Sequence, residues 1–277
     1  MKFWRRAKNP EATGQKKVRK PWVAYTALGV GLYVIFLLVT LPAAWLAWAV
    51  NKYSGGALTL SQPNGSVWRG SAEVLTRYPP AQARALGRTE WRINPLWLAT
   101  GSLRIQAQTL GSRIQGRGVI QLTPATVRLR DTRLAIPASL ASQFYAPASL
   151  ASLKGNFSID ISDLRLDSDG LIGQAEIRWL DAGSALSPVQ PLGDYRVTLV
   201  GKGKTANINL NTVSGDLELS GRGTWNVTGN GQVRFNGTAS PRNRAEELEP
   251  MLKLLGRDLG GGRRLLKLNT RVSVIRK

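Results

Sequence analysis

From residue 57 to residue 240, apolar and polar residues alternate with a period of two, and short turns rich in Gly, Asn, Asp or Pro break the alternation into runs. That pattern restricts the chain to antiparallel strands with one greasy and one wet face. Leu103, Ile105 and Ala107 alternate with Arg104, Gln106 and Gln108; Val127 and Leu129 alternate with Arg128 and Arg130. Later runs place Phe157, Ile159 and Ile161, then Ala175, Ile177 and Trp179, then Tyr195, Val197 and Leu199 at every second position. Asp169-Gly170 and Asn230-Gly231 supply hairpin turns, where positive φ is needed. The expectation is a mainly β fold: a curved antiparallel β-meander, partly rolled, with a few short helices.

Helical signals are confined to Asn94–Leu98, to residues 137–153 and to residues 241–255. In the last, Ser240 is placed to cap, Pro241 to start the helix, and Leu248, Met251, Leu252 and Leu255 to form one stripe, with Pro250 kinking or splitting it. Gly260-Gly261-Gly262 reads as a flexible link to a last strand through Leu266, Leu268, Val272 and Val274. So few helices leave apolar sheet surface uncovered. A sheet that rolls over itself, or a groove that holds lipid or a partner, resolves this.

An uncharged run covers residues 21–51, and the segment before it holds eight Lys or Arg residues against Glu11 alone. About 20 apolar residues cross the hydrocarbon core, so the run predicts a single N-terminal transmembrane helix. The positive flank keeps residues 1–20 in the cytoplasm and sends residues 52–277 to the far side. Trp22 and Tyr25 at one end and Trp45, Trp48 and Tyr53 at the other suit the two headgroup belts. A cleaved signal peptide is the alternative, with Ala47-Trp48-Ala49 as its small-x-small step, but signal apolar regions run to only about 7–15 residues.

The net charge is +21, and removing the tail's eight bases and one acid leaves +14 on the remainder. Outside the cytoplasm nucleic acid is a poor partner, so the charge reads either as a plain solvated positive surface or, functionally, as contact with anionic lipid headgroups or acidic protein partners through Arg104, Arg117, Arg128 and Arg130. Cysteine and histidine are both absent. Their absence removes Ser/His and Cys/His nucleophiles, zinc sites of the usual kind and an imidazole proton shuttle.

Gly203-Lys204-Thr205 fits the end of a phosphate-binding loop, but Thr198 stands where that loop needs Gly, and strands flank it on both sides. Asp163, Asp167 and Asp169-Gly170 open like a calcium loop with no closing Glu, which favours a hairpin turn. Nothing in their spacing singles out Glu73 with Glu90, or Asp160 with Asp163, as an acid–base pair. No cofactor or metal is expected.

The sharpest local motif is Gly65-Ser66-Val67-Trp68-Arg69-Gly70. It reads as a tight turn, a strand whose Trp68 packs on the sheet, and a Gly70 approached too closely for a side chain. Before it stands Leu41-Pro42-Ala43; after it come Trp91-Arg92-Ile93-Asn94-Pro95-Leu96, Pro191-Leu192-Gly193-Asp194-Tyr195 and the run from Gly221 to Trp225. In this arrangement the chain resembles the type II secretion system protein N family over nearly its whole length, with Gly65, Trp68, Gly70, Trp91 and Pro95 as structural positions. The resemblance implies a non-enzymatic accessory protein of the Gram-negative inner membrane, crossing once, N-terminus cytoplasmic and C-terminal domain periplasmic. Its implied partners are other secretion components, namely the inner-membrane platform and the secretin, together with inner-membrane lipids. AsmA-like lipid-handling proteins share the span followed by a Gly-x-x-Trp-x-Gly strand and provide the alternative function.

Overall fold

The computed structural model describes residues 21–56, 58–76, 84–111, 114–143, 152–228 and 230–272. The basic tail, the helical signal around Phe144 and Leu150, and Val274 lie outside them. Among the described residues, fourteen strands form one open antiparallel sheet: β1 (Leu58–Gly65), β2 (Arg69–Thr76), β3 (Arg84–Ile93), β4 (Leu103–Leu110), β5 (Gln115–Leu122), β6 (Thr126–Pro137), β7 (Leu153–Asp167), β8 (Gly170–Ser184), β9 (Gly193–Gly203), β10 (Thr205–Gly215), β11 (Leu217–Asn226), β12 (Gln232–Pro241), β13 (Asp258–Gly260) and β14 (Arg263–Arg271). Each strand pairs with its neighbour in sequence up to β12; β14 then inserts between β12 and β13. The expected meander is thus present, with one departure at its end. The sheet does not close, and β1 and β13 are its outermost strands.

The single helix expected over residues 21–51 is instead two, α1 (Pro21–Val39) and α2 (Ala43–Tyr53). Thr40 and Leu41 bond back to Phe36 and Leu38, and Pro42, with no N–H to give, stops the ladder. Among the described residues no helix is long and apolar enough to cross a membrane. The chain divides into two compact units, Met1–Leu41 and Pro42–Lys277, so α2 belongs with the sheet. Its Ala43 and Leu46 pack with Ala72, Trp91 and Ile93, and an isolated bridge joins Pro42 to Ser66. On its outer side Trp45 and Trp48 remain exposed, edge to face, with the Lys52 ammonium 4.8 Å from the Trp48 ring.

At the other end, α3 (Ala245–Leu255) buries Leu248, Met251 and Leu252 against Val189, Leu192, Leu217 and Ala239. Each of the three side chains contributes about 1.5–3 kcal/mol by leaving water. The helix starts later than the sequence suggests: Ser240 and Pro241 finish β12, where Ser240 faces Glu218, and Arg244 takes the cap position with a left-handed backbone. Its side chain compensates by pairing with Glu247, Nε to Oε1 at 2.8 Å. Pro250 does not divide the helix. Gly260, Gly261 and Gly262 are no flexible link; all three have positive φ and make the turn that brings β14 back beside β12. Among the described residues there are also two short 3₁₀ helices, η1 (Pro95–Thr100) and η2 (Ala138–Gln143).

One face of the sheet is apolar. Ile105, Ile120, Leu129 and Leu164 lie in one row across β4 to β7, and Leu134, Ile159, Ile177 and Val197 in another across β6 to β9. α2 covers this face at β2 and β3, and α3 covers it at β11, β12 and β14. Between them these aliphatic side chains are only half-buried.

Candidate interaction face

The opposite face is polar, and its side chains form rows that cross the strands. Residues directly opposite in an antiparallel pair project from the same face. Ser71 faces Glu90, which faces Gln108, then Arg117, Arg133 and Asp160. The row continues through Glu176, Thr198, Asn209, Arg222 and Asn236 to Lys267. A second row runs Arg69, Arg92, Gln106, Val119, Arg130 and Asp163, and a third holds Arg104, Gln121, Arg128 and Arg165. The four arginines expected from sequence as contact residues, Arg104, Arg117, Arg128 and Arg130, therefore share one face.

Two extra residues bend this face. Asp131 on β6, at φ 45°, and Ser162 on β7 interrupt the register on either side of the β6–β7 pair. Such bulges locally increase twist and bend a strand. There an open trough of about 1050 Å³ is lined by Arg69, Arg92, Arg117 and Arg133 together with Glu90 and Asp160.

The charges divide along the face. Asp163 accepts a two-pronged bond from Arg128, with Nε at 2.6 Å, and Arg130 approaches to 3.9 Å. That Arg128 bond is the main reason its carboxyl is held below the usual carboxylate range. Asp160 lies between Arg133 at 3.4 Å and Arg178 at 3.1 Å, and Glu176 between Arg178 at 3.1 Å and Arg196 at 3.4 Å. From β6 to β9 the arginines are thus matched in a ladder. Among the described residues no ion pair reaches Arg69, Arg92, Arg104 or Arg117. Arg104 instead lies 5.9 Å from the Trp97 ring of η1, and Arg88 donates to Ser71 Oγ at 2.9 Å. The β2–β5 part of the face is consequently electropositive, with Glu73 and Glu90 as its acids. Among the described residues no three metal-ligating side chains converge.

The structural positions expected from sequence gather at the β1–β2 hairpin and the end of β3. Ser66 N–H bonds the Arg69 carbonyl at 2.9 Å, closing the turn, and Trp68 lies in that turn rather than in a strand. The ring over Gly70 belongs to Trp91, whose indole N–H donates to the Val67 carbonyl at 3.0 Å. Pro95 opens η1, and the Asn94 side chain caps it by accepting from Leu96 N–H. Alternation places Tyr195 on the apolar face of its strand but carries no sign of its hydrogen bond. Tyr195 is buried, lies with its ring tilted against Trp179 at 5.7 Å, and donates its O–H to the Leu217 carbonyl at 2.9 Å.

The described residues thus make an open sheet with one broad charged face and an apolar face covered at both ends. Residues 56–267 match the family described as Type II secretion system (T2SS), protein N, and the chain belongs to that family. It is similar to a type II secretion system protein N of Klebsiella pneumoniae, 26% identical over 229 residues, which cover 80% of this chain and 84% of the relative. No solved structure matches. Membership makes the chain a cell-envelope component of type II secretion.

Proposed function

We propose that the protein is an accessory inner-membrane component of the type II secretion system, a non-catalytic bitopic scaffold. Its periplasmic β domain contacts other secretion components, the inner-membrane platform and the secretin, during export of folded proteins across the outer membrane. Residues 1–20 are the cytoplasmic tail; of the expected 21–51 segment the part before Pro42 is the membrane anchor, because α2 packs on the sheet, and the chain from there to residue 277 is the periplasmic domain. The described side chains of α1 from Trp22 to Val39 are uncharged and exposed, which suits a lipid environment. The observation that carries the contact role is the set of arginines on β2–β5, Arg69, Arg92, Arg104 and Arg117, which form no ion pair among the described residues and which face the same side. An acidic partner surface meets them at little desolvation cost, because guanidinium is weakly hydrated.

Deletion of the protein should stop secretion of folded exoproteins, with the full chain restoring it; normal secretion in the deletion strain overturns the role. In-cell crosslinking from positions 104 and 117 should capture another secretion component. A second reading draws on the apolar face between α2 and α3, where Ile105, Ile120 and Leu129 stay half-buried: an AsmA-like lipid-binding or lipid-transfer protein. Mass spectrometry of the domain purified without detergent should then find phospholipid, and a lipid-free domain removes that reading.

A further inference from the structure

The two edges of the sheet differ. β1 contains Pro63, is bulged between Ser61 and Asn64 with Gln62 at φ 49°, and is tied to α2 by Ser54 Oγ donating to the Leu58 carbonyl at 3.2 Å. Those features keep an edge from pairing with another chain. β14 is covered only at its start. There β13 sets Asp258 opposite Arg264 and Gly260 opposite Arg263, and the Leu265 N–H bonds the Arg257 carbonyl at 2.9 Å. Past that point the outer side is open among the described residues.

Backbone direction follows from two of these bonds. Leu265 N–H points outward to Arg257, and Val272 N–H points inward to the Gly231 carbonyl at 2.7 Å. Because antiparallel strands alternate inward and outward groups, the N–H and C=O of Lys267, Asn269 and Arg271 point outward. These are three donors and three acceptors in line, set at strand spacing. Lys267, Asn269 and Arg271 lie on the polar face opposite Asn236, Arg234 and Gln232, while Leu266 and Leu268 lie on the apolar face. The chain itself shows what the edge accepts: β13 adds there with an acid, and Asp258 reaches Arg264 at 3.2 Å.

We propose that the outer edge of β14 is a strand-addition site for an extended acidic segment of a partner protein. Its backbone pairs with Lys267, Asn269 and Arg271, its alternate carboxylates meet Lys267 and Arg271, and its intervening apolar side chains meet Leu266 and Leu268. A second copy of this chain is a poor occupant. A two-fold axis through Asn269 sets Lys267 against the second copy's Arg271, and like charges directly opposite are destabilising. This inference rests on backbone geometry and charge and is independent of the secretion reading.

The test titrates the full chain in detergent micelles with a synthetic peptide of about seven residues alternating Glu and Val, a typical strand length. Saturable binding is expected, at least about tenfold tighter than for the matching Lys-Val peptide. Asn269→Pro removes one outward N–H and no inward one, and should abolish binding with an unchanged far-UV circular dichroism spectrum. The double variant Lys267→Glu/Arg271→Glu should reverse the preference to the Lys-Val peptide. A Glu-Val peptide N-methylated on its pairing side should not bind the wild-type chain, which decides the matter if Asn269→Pro fails to fold. No binding of the Glu-Val peptide, or equal binding by its N-methylated form or by folded Asn269→Pro, overturns the proposal. So does a dimer that Asn269→Pro dissolves, since that would seat a second copy at the edge.

Discussion

The ring of Trp91 occupies the space a side chain at Gly70 would need: a Cβ there would lie 2.6 Å from the ring and 2.5 Å from the Asn64 carbonyl oxygen. One of the obstructing atoms is backbone, so the clash cannot be relieved by a rotamer change alone. Gly70→Ala should destabilise the chain by about 1–3 kcal/mol. Trp91→Phe keeps most of the packing but orphans the Val67 carbonyl, at a cost of about 1 kcal/mol. Urea denaturation followed by tryptophan fluorescence measures both, and an Ala at 70 as stable as Gly would contradict the close approach.

Tyr195 is the internal counterpart. Tyr195→Phe leaves the buried Leu217 carbonyl without its donor and should cost about 1–3 kcal/mol in the same measurement. Burial pushes the phenol up, above its ordinary value of about 10. An acid whose folded pKa is raised contributes stability that is fully present below its unfolded pKa and is lost as pH rises towards the folded one. Wild-type stability should therefore fall more steeply above pH 10 than that of Tyr195→Phe, as read by chemical denaturation across an alkaline series.

Asp163 gives the opposite sign. Its carboxyl is held down chiefly by the Arg128 hydrogen bond, so its stabilising contribution is present above its unfolded pKa and disappears as pH falls through the lowered folded one. Asp163→Asn should flatten the acid limb of the stability curve relative to wild type. High salt should narrow the difference, because the pair is partly exposed. Identical acid limbs would show that the pair is not formed in solution.

Charge reversal separates folding from contact. Arg104→Glu and Arg117→Glu change side chains on the solvated face outside any ion pair, and thermal melts should stay within about 0.5 kcal/mol of wild type. Crosslinking yield to a secretion partner, and exoprotein secretion, should both drop. Undiminished secretion by the double variant would move the contact surface elsewhere.

The strands were legible because each alternates on its own, and the predicted runs around Leu103, Phe157, Tyr195 and Trp225 all lie in or at the ends of strands. What joins the arginines was not. Arg117 and Arg133 face each other only through the β5–β6 register, which the bulge at Asp131 shifts by one residue, and alternation within a single strand carries no record of that shift. α2 escaped for a related reason. Ala43 and Leu46 are as apolar as a lipid-facing segment, so hydropathy alone does not reveal that they meet a sheet; only Pro42 marked the division. Trp91 was noted for its motif, whereas its seat over Gly70 depends on the β2–β3 pairing of those two residues.

The order of the strands also bears on how the molecule is made. Because β2 to β12 each pair with the strand before them, a chain emerging N-terminus first can lay every new strand on an edge that already exists, and loop-closure entropy stays small at each step. Assembly in this order resembles the growth of a zipper. Only the end must wait, since β14 has to take its place beside β12 with β13 already synthesised and set aside. Truncation before residue 263 should therefore leave β12 as a raw edge, and such a chain is the form expected to aggregate.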